Sequence, residues 1–210
     1  TGGTTGMPKG VLWRQADIFV TALGGQTQAQ TGEEFDSLEP IVERAVSGRS
    51  AMRVLRSPPV MHGAAHWSAF HTFHMGGTVL LPANTHHLVA DDIWSTVERE
   101  KAQALLIVGD AFGRPLLEGL SHRNYDLSSL ALLISGGAPL NASLKKLFIE
   151  ALPQVIILDA VGSSETGSQA HHMSTRGGEV STGTFRATPN NVVVSEDLTR
   201  VLVPGDPEMG

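Results

Sequence analysis

Short, wholly apolar runs that alternate with helical segments between residues 78 and 159 constrain the fold of this chain more than any other feature. The apolar runs are TVLLP (78–82), ALLIV (104–108), LALLIS (130–135) and VIILD (155–159). The helical segments are DDIWSTVEREK (91–101), one containing RPLLEGL, and NASLKKLFIEAL (141–152) with Asn141 as N-cap. Strands that are apolar on both faces belong to parallel sheets covered by helices on both sides. The pattern predicts an α/β fold with a doubly wound, mostly parallel sheet.

The segments on either side of this array differ from it. Upstream, the sequence predicts helices over 17–23, 38–46 and 63–77, the last with Gly76 and Gly77 as its stop signal. After about residue 176 the chain alternates Gly, Thr and Val, as in NNVVVSED, which predicts the start of a small antiparallel β region. We therefore expect residues 1–176 to form part of one large α/β domain and residues 177–210 to begin a β-rich subdomain.

Composition excludes several classes of function. The 210 residues carry a formal net charge of −6, which argues against a nucleic-acid partner. The chain has no cysteine, so disulfides, thiolate metal sites and a cysteine nucleophile are excluded. No apolar run approaches the roughly 20 residues that cross a bilayer, and no signal-peptide pattern opens the chain. These features favour a cytoplasmic protein with no transmembrane segment.

The chain opens on TGGTTGMPKG, residues 1–10, a segment whose composition suits an oxyanion. Glycine backbone can approach a ligand closely, threonine hydroxyls add donors, and Lys9 adds a compact positive charge. The segment does not match the nucleoside-triphosphatase pattern G-x-x-x-x-G-K followed by Ser or Thr, nor G-x-G-x-x-G. It predicts a phosphate-binding loop of another design, and a flexible terminal tail is the alternative.

Two further Gly-rich stretches are predicted to be loops that follow apolar strands. They are SGGAP (135–139) and DAVGSSETG (159–167). In open α/β sheets, ligands bind beyond the carboxyl ends of the strands, so we expect the two loops to lie side by side at one edge of the sheet. Ordinary tight βα turns would explain one such loop, but two in succession favour a binding site.

Glu165 lies among hydroxyls and glycines, with no basic residue nearby in the sequence to pair with it. A carboxylate beside phosphate donors is a suitable ligand for Mg²⁺, which takes one or two protein carboxylates plus phosphate oxygens. The hydrolase pattern G-x-S-x-G is not met, because Thr166 stands in place of the last glycine. The histidines at 62, 66, 71 and 74 have helical spacing, but no carboxylate between 60 and 77 completes a zinc site. We expect these histidines to be packed or to line a pocket.

Taken in order, TGGTTGMPKG, SGGAPL and DAVGSSETG resemble the adenylate-forming superfamily of acyl-CoA synthetases, luciferases and peptide-synthetase adenylation domains. Every position from 1 to 10 fits the phosphate loop of that family, and PPVMHGAAHW is similar to its histidine-glycine segment. The SSETG form is most like fatty-acyl-CoA synthetases. The resemblance covers residues 1 to about 176, and more loosely 210, and implies that residues 1–176 belong to a large nucleotide- and acyl-binding domain.

The resemblance implies a nucleotide-binding role for each matching position. The opening loop would bind the β- and γ-phosphates of ATP, with Lys9 nearby. The residues of that loop are Thr1, Gly2, Gly3, Thr4, Thr5 and Gly6. Gly137, Ala138 and Pro139 would line the adenine. Asp159 and Val161 would complete the nucleotide site, with apolar contact from Val161 in place of the aromatic residue that often stacks on adenine in the family.

The same resemblance implies the positions that carry the chemistry. Ser164 would contact the α-phosphate or the substrate carboxylate, Glu165 would hold Mg²⁺, and Lys9 would act beside the phosphates. His62 and Gly162 would border the acyl pocket and its junction with the CoA tunnel.

The implied activity is ATP-dependent activation of a carboxylic acid, most like a fatty acid, to an acyl-adenylate, followed by transfer to CoA. ATP, Mg²⁺ and coenzyme A would be the cofactors. Four parts of the family's sequence have no match in these 210 residues: the portion upstream of the phosphate loop, the ribose-binding Asp, the hinge and the lysine-bearing C-terminal lid. We therefore expect an internal fragment that is inactive by itself and exposes apolar surface that favours association, including a homo-oligomer. An adenylation domain or luciferase-like enzyme with another acceptor, and a non-catalytic nucleotide-binding module, are the alternatives.

Overall fold

The computed structural model describes residues 7, 9–26, 35, 37–187, 192–203 and 205–207. Over these residues the chain forms six helices and seven strands. In chain order they are α1 (Gln15–Ala22), α2 (Glu39–Ser47), β1 (Arg53–Arg56), α3 (Gly63–His74), β2 (Thr78–Leu80), α4 (Ala90–Glu100), β3 (Ala104–Ile107), α5 (Gly109–Gly119), β4 (Leu132–Gly136), α6 (Ala142–Ala151), β5 (Ile156–Ser163), β6 (Gly167–Ser174) and β7 (Arg186–Ala187). Among these six helices, none has the length and apolar character needed to cross a membrane.

The seven strands join one sheet in the order β2-β1-β3-β4-β5-β6-β7. Strands β1 to β5 pair in parallel, whereas β6 pairs antiparallel with both β5 and β7. The connection through α3 runs outward from β1 to β2, and the connections through α4, α5 and α6 run in the opposite direction. Because such crossovers are right-handed, α3 covers one face of the sheet and the other three helices cover the opposite face. The doubly wound, mostly parallel fold predicted from the sequence is confirmed.

One row of apolar side chains crosses four parallel strands on the face covered by α4, α5 and α6. Its members are opposite one another in register and no more than 1% exposed: Leu55, Leu105, Leu133 and Ile157. They form one cluster with buried side chains of the three helices. Side chains alternate along a strand, so Arg56 turns to the other face, where its guanidinium donates to Thr72 of α3. The core therefore lies mainly between the sheet and α4, α5 and α6.

The helices predicted from the sequence are confirmed, with small shifts at their ends. Asn141 caps α6, and its side-chain oxygen accepts a hydrogen bond from the Leu144 amide at 3.0 Å. Helix α3 ends at His74, and Gly76 beyond it has a φ of 75°. A Cβ at Gly76 would lie 2.2 Å from the carbonyl oxygen of Ala45, so this turn requires glycine.

The sequence analysis did not predict strand β1, because an arginine flanks its two apolar residues on each side. Arg53 pairs with Glu100 at 2.8 Å between Nη2 and Oε2. Arg56 is only 2% exposed, and burial lowers the pKa of its guanidinium to about 10. A buried arginine that hydrogen-bonds to α3 occupies a place where an apolar residue would have completed the strand pattern.

The fourth apolar run continues as a strand beyond residue 159. Strand β5 extends to Ser163, and β6 folds back along it as an antiparallel hairpin. The prediction that DAVGSSETG is a loop from its start is therefore wrong, because main-chain pairing with β6 extends the strand through small residues. Antiparallel pairing begins at Gly167, before the domain boundary expected at 177, and that boundary stays a prediction.

Replacing Trp94 with Phe tests the core. Trp94 is fully buried, and its indole nitrogen donates to the Leu116 carbonyl at 2.8 Å, joining α4 to α5. We expect Trp94→Phe to lower the free energy of unfolding by about 1–3 kcal/mol, because a buried acceptor loses its partner. Urea denaturation measures the change. Leu147→Ala, at a side chain that is 47% exposed, is the control and should change stability by no more than about 0.5 kcal/mol. Equal effects of the two substitutions would contradict this account.

Candidate active site

The two predicted loops meet at the carboxyl edge of the parallel sheet. Ser135 is opposite Asp159 and Gly136 is opposite Ala160 in the register of β4 and β5. The residues after Gly136 therefore lie beside the outer half of β5. The expectation that SGGAP and DAVGSSETG are neighbours at one edge is confirmed.

Hydrogen bonds to the start of α5 hold the SGGAP loop in place. The Asp110 amide donates to the Pro139 carbonyl at 3.0 Å, and the Asp110 carboxylate accepts from the Asn141 amide at 2.9 Å. Gly109 has a φ of 50°, and a Cβ there would lie 2.5 Å from the Pro139 oxygen. Only glycine permits this approach, which holds the predicted adenine-binding residues close to α5 while Gly137, Ala138 and Pro139 remain exposed.

The hairpin of β5 and β6 also depends on close backbone contact. A Cβ at Gly162 would lie 2.1 Å from the Gly167 carbonyl oxygen, and the register shifts between Val161 and Gly162. This bulge changes the direction of the strand just before the hairpin tip. Val161 is 40% exposed beside the bulge and offers the apolar surface expected of it.

Hydroxyl groups organise the hairpin tip. The hydroxyls of Ser163 and Thr166 are 3.0 Å apart, and the Glu165 amide donates to the Ser163 hydroxyl at 3.2 Å. The Glu165 carboxylate is exposed and forms no ion pair with the described residues. The tip therefore presents one carboxylate on a fixed backbone, a donor set that fits Mg²⁺ shared with phosphate oxygens.

Trp13 brings the opening segment to the hairpin tip. Its indole nitrogen donates to the Ser164 carbonyl at 2.8 Å, across 151 residues of sequence. Lys9 is exposed and lies four residues before Trp13, within about 14 Å of extended chain. Sequence reasoning missed Trp13, because an aromatic residue after a Gly-rich loop carries no signal of its partner. Thr1, Gly2, Gly3, Thr4, Thr5 and Gly6 lie outside the described residues.

The Asp159 side chain is buried beneath this site. Asp159 is 6% exposed and its carboxylate pairs with Lys145 of α6, which is 2% exposed. The Lys145 ammonium also donates to the Ser181 carbonyl at 2.5 Å. Burial raises the pKa of Asp159, and the Lys145 charge partly opposes that rise. The geometry gives the carboxylate a role in joining β5 to α6, and the nucleotide role of Asp159 stays a prediction.

His62 lies on the same edge but at a distance from the hairpin. It is exposed at the start of α3, beyond the end of β1, and β3 and β4 separate β1 from β5. The structure therefore does not bring His62 into contact with Gly162. Of the other histidines of α3, His74 is half-buried against Phe19, whereas His66, which stacks on Phe70, is exposed. His71 is also exposed, so the expectation of packed side chains holds for His74 and not for His66 or His71. In the described parts of the chain, no three His, Cys, Asp or Glu side chains form a metal-binding group.

Comparison with known proteins gives consistent matches. The family described as AMP-binding enzyme matches residues 1–208. The medium-chain acyl-CoA ligase Mig of Mycobacterium avium is 50% identical over 210 residues, which are 100% of this chain and 38% of the relative. A medium/long-chain-fatty-acid and 3-oxocholest-4-en-26-oate CoA ligase of Mycolicibacterium smegmatis is 38% identical over 98% of this chain and 37% of its own length. The chain thus spans less than two fifths of these relatives.

The fold also matches solved structures. The inhibitor-bound N-terminal domain of FACL13 from Mycobacterium tuberculosis superposes with a TM-score of 0.70, covering 96% of this chain and 46% of that one at 21% identity. This likeness concerns the fold alone.

Replacing Lys145 with Met tests the buried pair. The substitution leaves the Asp159 carboxylate buried without its partner, so we expect a loss of about 3–5 kcal/mol in the free energy of unfolding near neutral pH. Without Lys145 the folded-state pKa of Asp159 rises further above its unfolded value. The folded protein then binds a proton more readily than the unfolded chain, so the loss shrinks as pH falls through the folded pKa. Urea melts across a pH series measure this.

The double variant Lys145→Met with Asp159→Asn is the matched control. It removes both charges, so it should lack the recovery of stability at low pH that Lys145→Met shows. A loss in Lys145→Met that stays constant as the pH falls would contradict the charge coupling between Lys145 and Asp159.

Proposed function

Since the chain belongs to the AMP-binding enzyme family, we propose that it forms part of an enzyme that activates a carboxylic acid with ATP and transfers the acyl group to CoA. The observation that carries this proposal is the hydrogen bond from Trp13 to Ser164. It joins the segment after the phosphate-loop motif to the tip of the hairpin whose first strand, β5, pairs with β4 at the start of SGGAP. The segment that follows the phosphate-loop motif thereby reaches the same sheet edge as the other two motifs.

This arrangement supports the following assignment of residues to the parts of ATP. The opening loop, Thr1 to Gly6, would hold the β- and γ-phosphates, with Lys9 beside them, while the exposed backbone of Gly137, Ala138 and Pro139 would line the adenine. Val161 would add apolar contact. The Glu165 carboxylate, fixed at the tip and unpaired among the described residues, would hold Mg²⁺ where phosphate charge is redistributed.

The reaction has two displacement steps. A carboxylate oxygen of the acid bonds to the α-phosphorus and the bond to pyrophosphate breaks, giving the acyl-adenylate. The thiol sulfur of CoA then bonds to the acyl carbon, AMP leaves, and the thiol proton passes to solvent. Ser164 would hold the α-phosphate or the acid carboxylate during the first step. The chain's residues act by positioning and by stabilising charge, not by forming a bond.

The substrate class is proposed as a fatty acid, which the printed names of the relatives support. His62 and Gly162 would border the acyl path at two points of the same edge. We propose a cytoplasmic enzyme that uses ATP, CoA and a small-molecule acid, with association into a homo-oligomer left to be measured.

Pyrophosphate exchange tests the activity in the complete natural polypeptide that carries this sequence. A panel of fatty and aromatic acids should give acid-dependent exchange without CoA, and addition of CoA should give acyl-CoA. Exchange with no thioester would indicate a different acceptor. Nucleotide binding with no exchange for any acid would favour a non-catalytic nucleotide-binding module.

We expect Glu165→Gln in that polypeptide to lower the rate of adenylation at least about 100-fold while changing ATP affinity only a few-fold. The reason is that a metal-bound carboxylate acts mainly where charge develops in the transition state. Exchange kinetics and equilibrium ATP binding measure the two quantities. Glu179→Gln, at another exposed carboxylate, is the control and should leave both near the parent values. Equal losses in binding and rate, or none, would count against the Mg²⁺ role.

The 210-residue chain by itself should form no detectable acyl-adenylate. It spans 38% of the Mycobacterium avium relative, and the resemblance assigns ribose and lid contacts to segments that have no match here. Misplacement of substrate by about 1 Å can cost on the order of 100-fold in rate. Hydroxylamine trapping checks this outcome, and hydroxamate formation at the rate of the complete polypeptide would refute it.

A further inference from the structure

One peptide unit at the hairpin tip is fixed at both of its ends. The carbonyl of Ser164 accepts a hydrogen bond from the Trp13 indole nitrogen at 2.8 Å. The amide of Glu165 belongs to the same peptide unit and donates to the Ser163 hydroxyl at 3.2 Å. Because a peptide unit is planar, two hydrogen bonds at its opposite ends set the orientation of the whole unit. The backbone from which the Glu165 side chain departs is therefore held in part by Trp13.

The segment that contains Trp13 is attached to the hairpin at a second point. Helix α1 begins at Gln15, two residues after Trp13, and its Thr21 packs against Gly167 at the start of β6. A Cβ at Gly167 would lie 2.4 Å from the Thr21 methyl carbon, and Gly167 has a φ of 73°. Glycine therefore lets α1 approach the hairpin closely beside the tip. With contacts at Ser164 and at Gly167, the opening segment and the hairpin form one connected unit.

The hydrogen bond depends on the indole N–H of Trp13 and not on its ring. The indole nitrogen can only donate, and its partner is a main-chain carbonyl, so the link does not depend on the side chain at 164. Trp13 is half-buried, so water competes less for this bond than it would at an exposed site. Phenylalanine has an aromatic ring but no such donor. The substitution Trp13→Phe therefore removes the link and leaves an aromatic ring in place.

We propose that Trp13 is a positioning residue that couples the phosphate-binding segment to the metal-binding carboxylate of Glu165. Lys9 is four residues before Trp13, so the hydrogen bond to Ser164 limits how far that segment can move from the tip. Phosphate held by the segment and Mg²⁺ held by Glu165 then meet in one geometry. Correct alignment matters most in the transition state, so the link acts on the rate of adenylation more than on ATP binding. This proposal rests on the proposed function, which supplies ATP and Mg²⁺.

A double-mutant cycle in the complete natural polypeptide tests this coupling. We expect Trp13→Phe to lower kcat for pyrophosphate exchange at least about fivefold, the usual effect of losing one hydrogen bond, and to change KM for ATP less than about twofold. In the Glu165→Gln background the same substitution should lower kcat less than about twofold, because Trp13 acts through Glu165. Equal losses in both backgrounds, or no loss in the parent, would overturn the proposal.

Trp67→Phe is the matched control, because Trp67 is also half-buried but lies on α3. It removes an indole N–H of the same kind, and any effect on kcat should be equal in the parent and Glu165→Gln backgrounds. If the effect of Trp67→Phe depended on Glu165 as strongly as that of Trp13→Phe, the coupling would reflect a general loosening of the domain, and the proposal would be wrong.

Trypsin cleavage after Lys9 and Arg14, which are both exposed, reports the link without any catalysis. In the absence of ligands, Trp13→Phe should be cut at these sites at least about fivefold faster than the parent, because the segment detaches from the tip more often. Trp67→Phe should be cut at the parent rate. An unchanged rate in Trp13→Phe would contradict the proposal.

The two measurements separate this proposal from the proposed function. If the parent exchanges pyrophosphate with no acid, but Mg²⁺ and ATP slow cleavage after Lys9 in the parent and not in Trp13→Phe or Glu165→Gln, the coupling stands and the proposed function fails. If the parent forms acyl-adenylate and Trp13→Phe lowers kcat equally in both Glu165 backgrounds, the proposed function stands and the coupling fails.

Discussion

The register of one buried row determines where the functional groups meet. Leu55, Leu105, Leu133 and Ile157 face α4, α5 and α6 together, and a one-residue slip of any strand would turn its apolar side chain to the other face. Because Leu133 is opposite Ile157 in this row, Gly136 lies opposite Ala160, three residues further along each strand. The adjacency of the two motif segments thus follows from hydrophobic packing in the core.

The sequence predicted those features that depend on local pattern. The apolar runs and capped helices of 78–159 are periodic, so their fold class and order could be read without structure. Strand β1 was not predicted, because Arg56 is buried through hydrogen bonds to α3 that no local sequence pattern encodes. The outer half of β5 was not predicted as a strand, because its pairing partner β6 comes later in the chain. The motif residues were found by resemblance, whereas Trp13 and Lys145 act through distant partners and carry no such signal.

The site combines rigid support with exposed chemistry. Beneath the edge, a buried ion pair and glycine contacts too close for any Cβ hold the backbone of β5, α5 and α6 in place. Above it, Glu165, the hydroxyls of the tip and the backbone of SGGAP face outward, where substrates can reach them. Such an arrangement suits chemistry that depends on orientation, because the backbone that carries these groups is held in place before any substrate arrives.

The hydrogen bond from Trp13 to Ser164 also limits how early the opening segment can be held in place during synthesis. Its partners are separated by 151 residues, so at usual synthesis rates of about 5–20 residues per second the Trp13 indole is made roughly 8–30 seconds before Ser164 exists. That interval is long compared with the roughly microsecond times in which single helices form. The contact between the Trp13 segment and the hairpin tip therefore forms late, and until Ser164 has been made the opening segment leaves the ribosome without this partner.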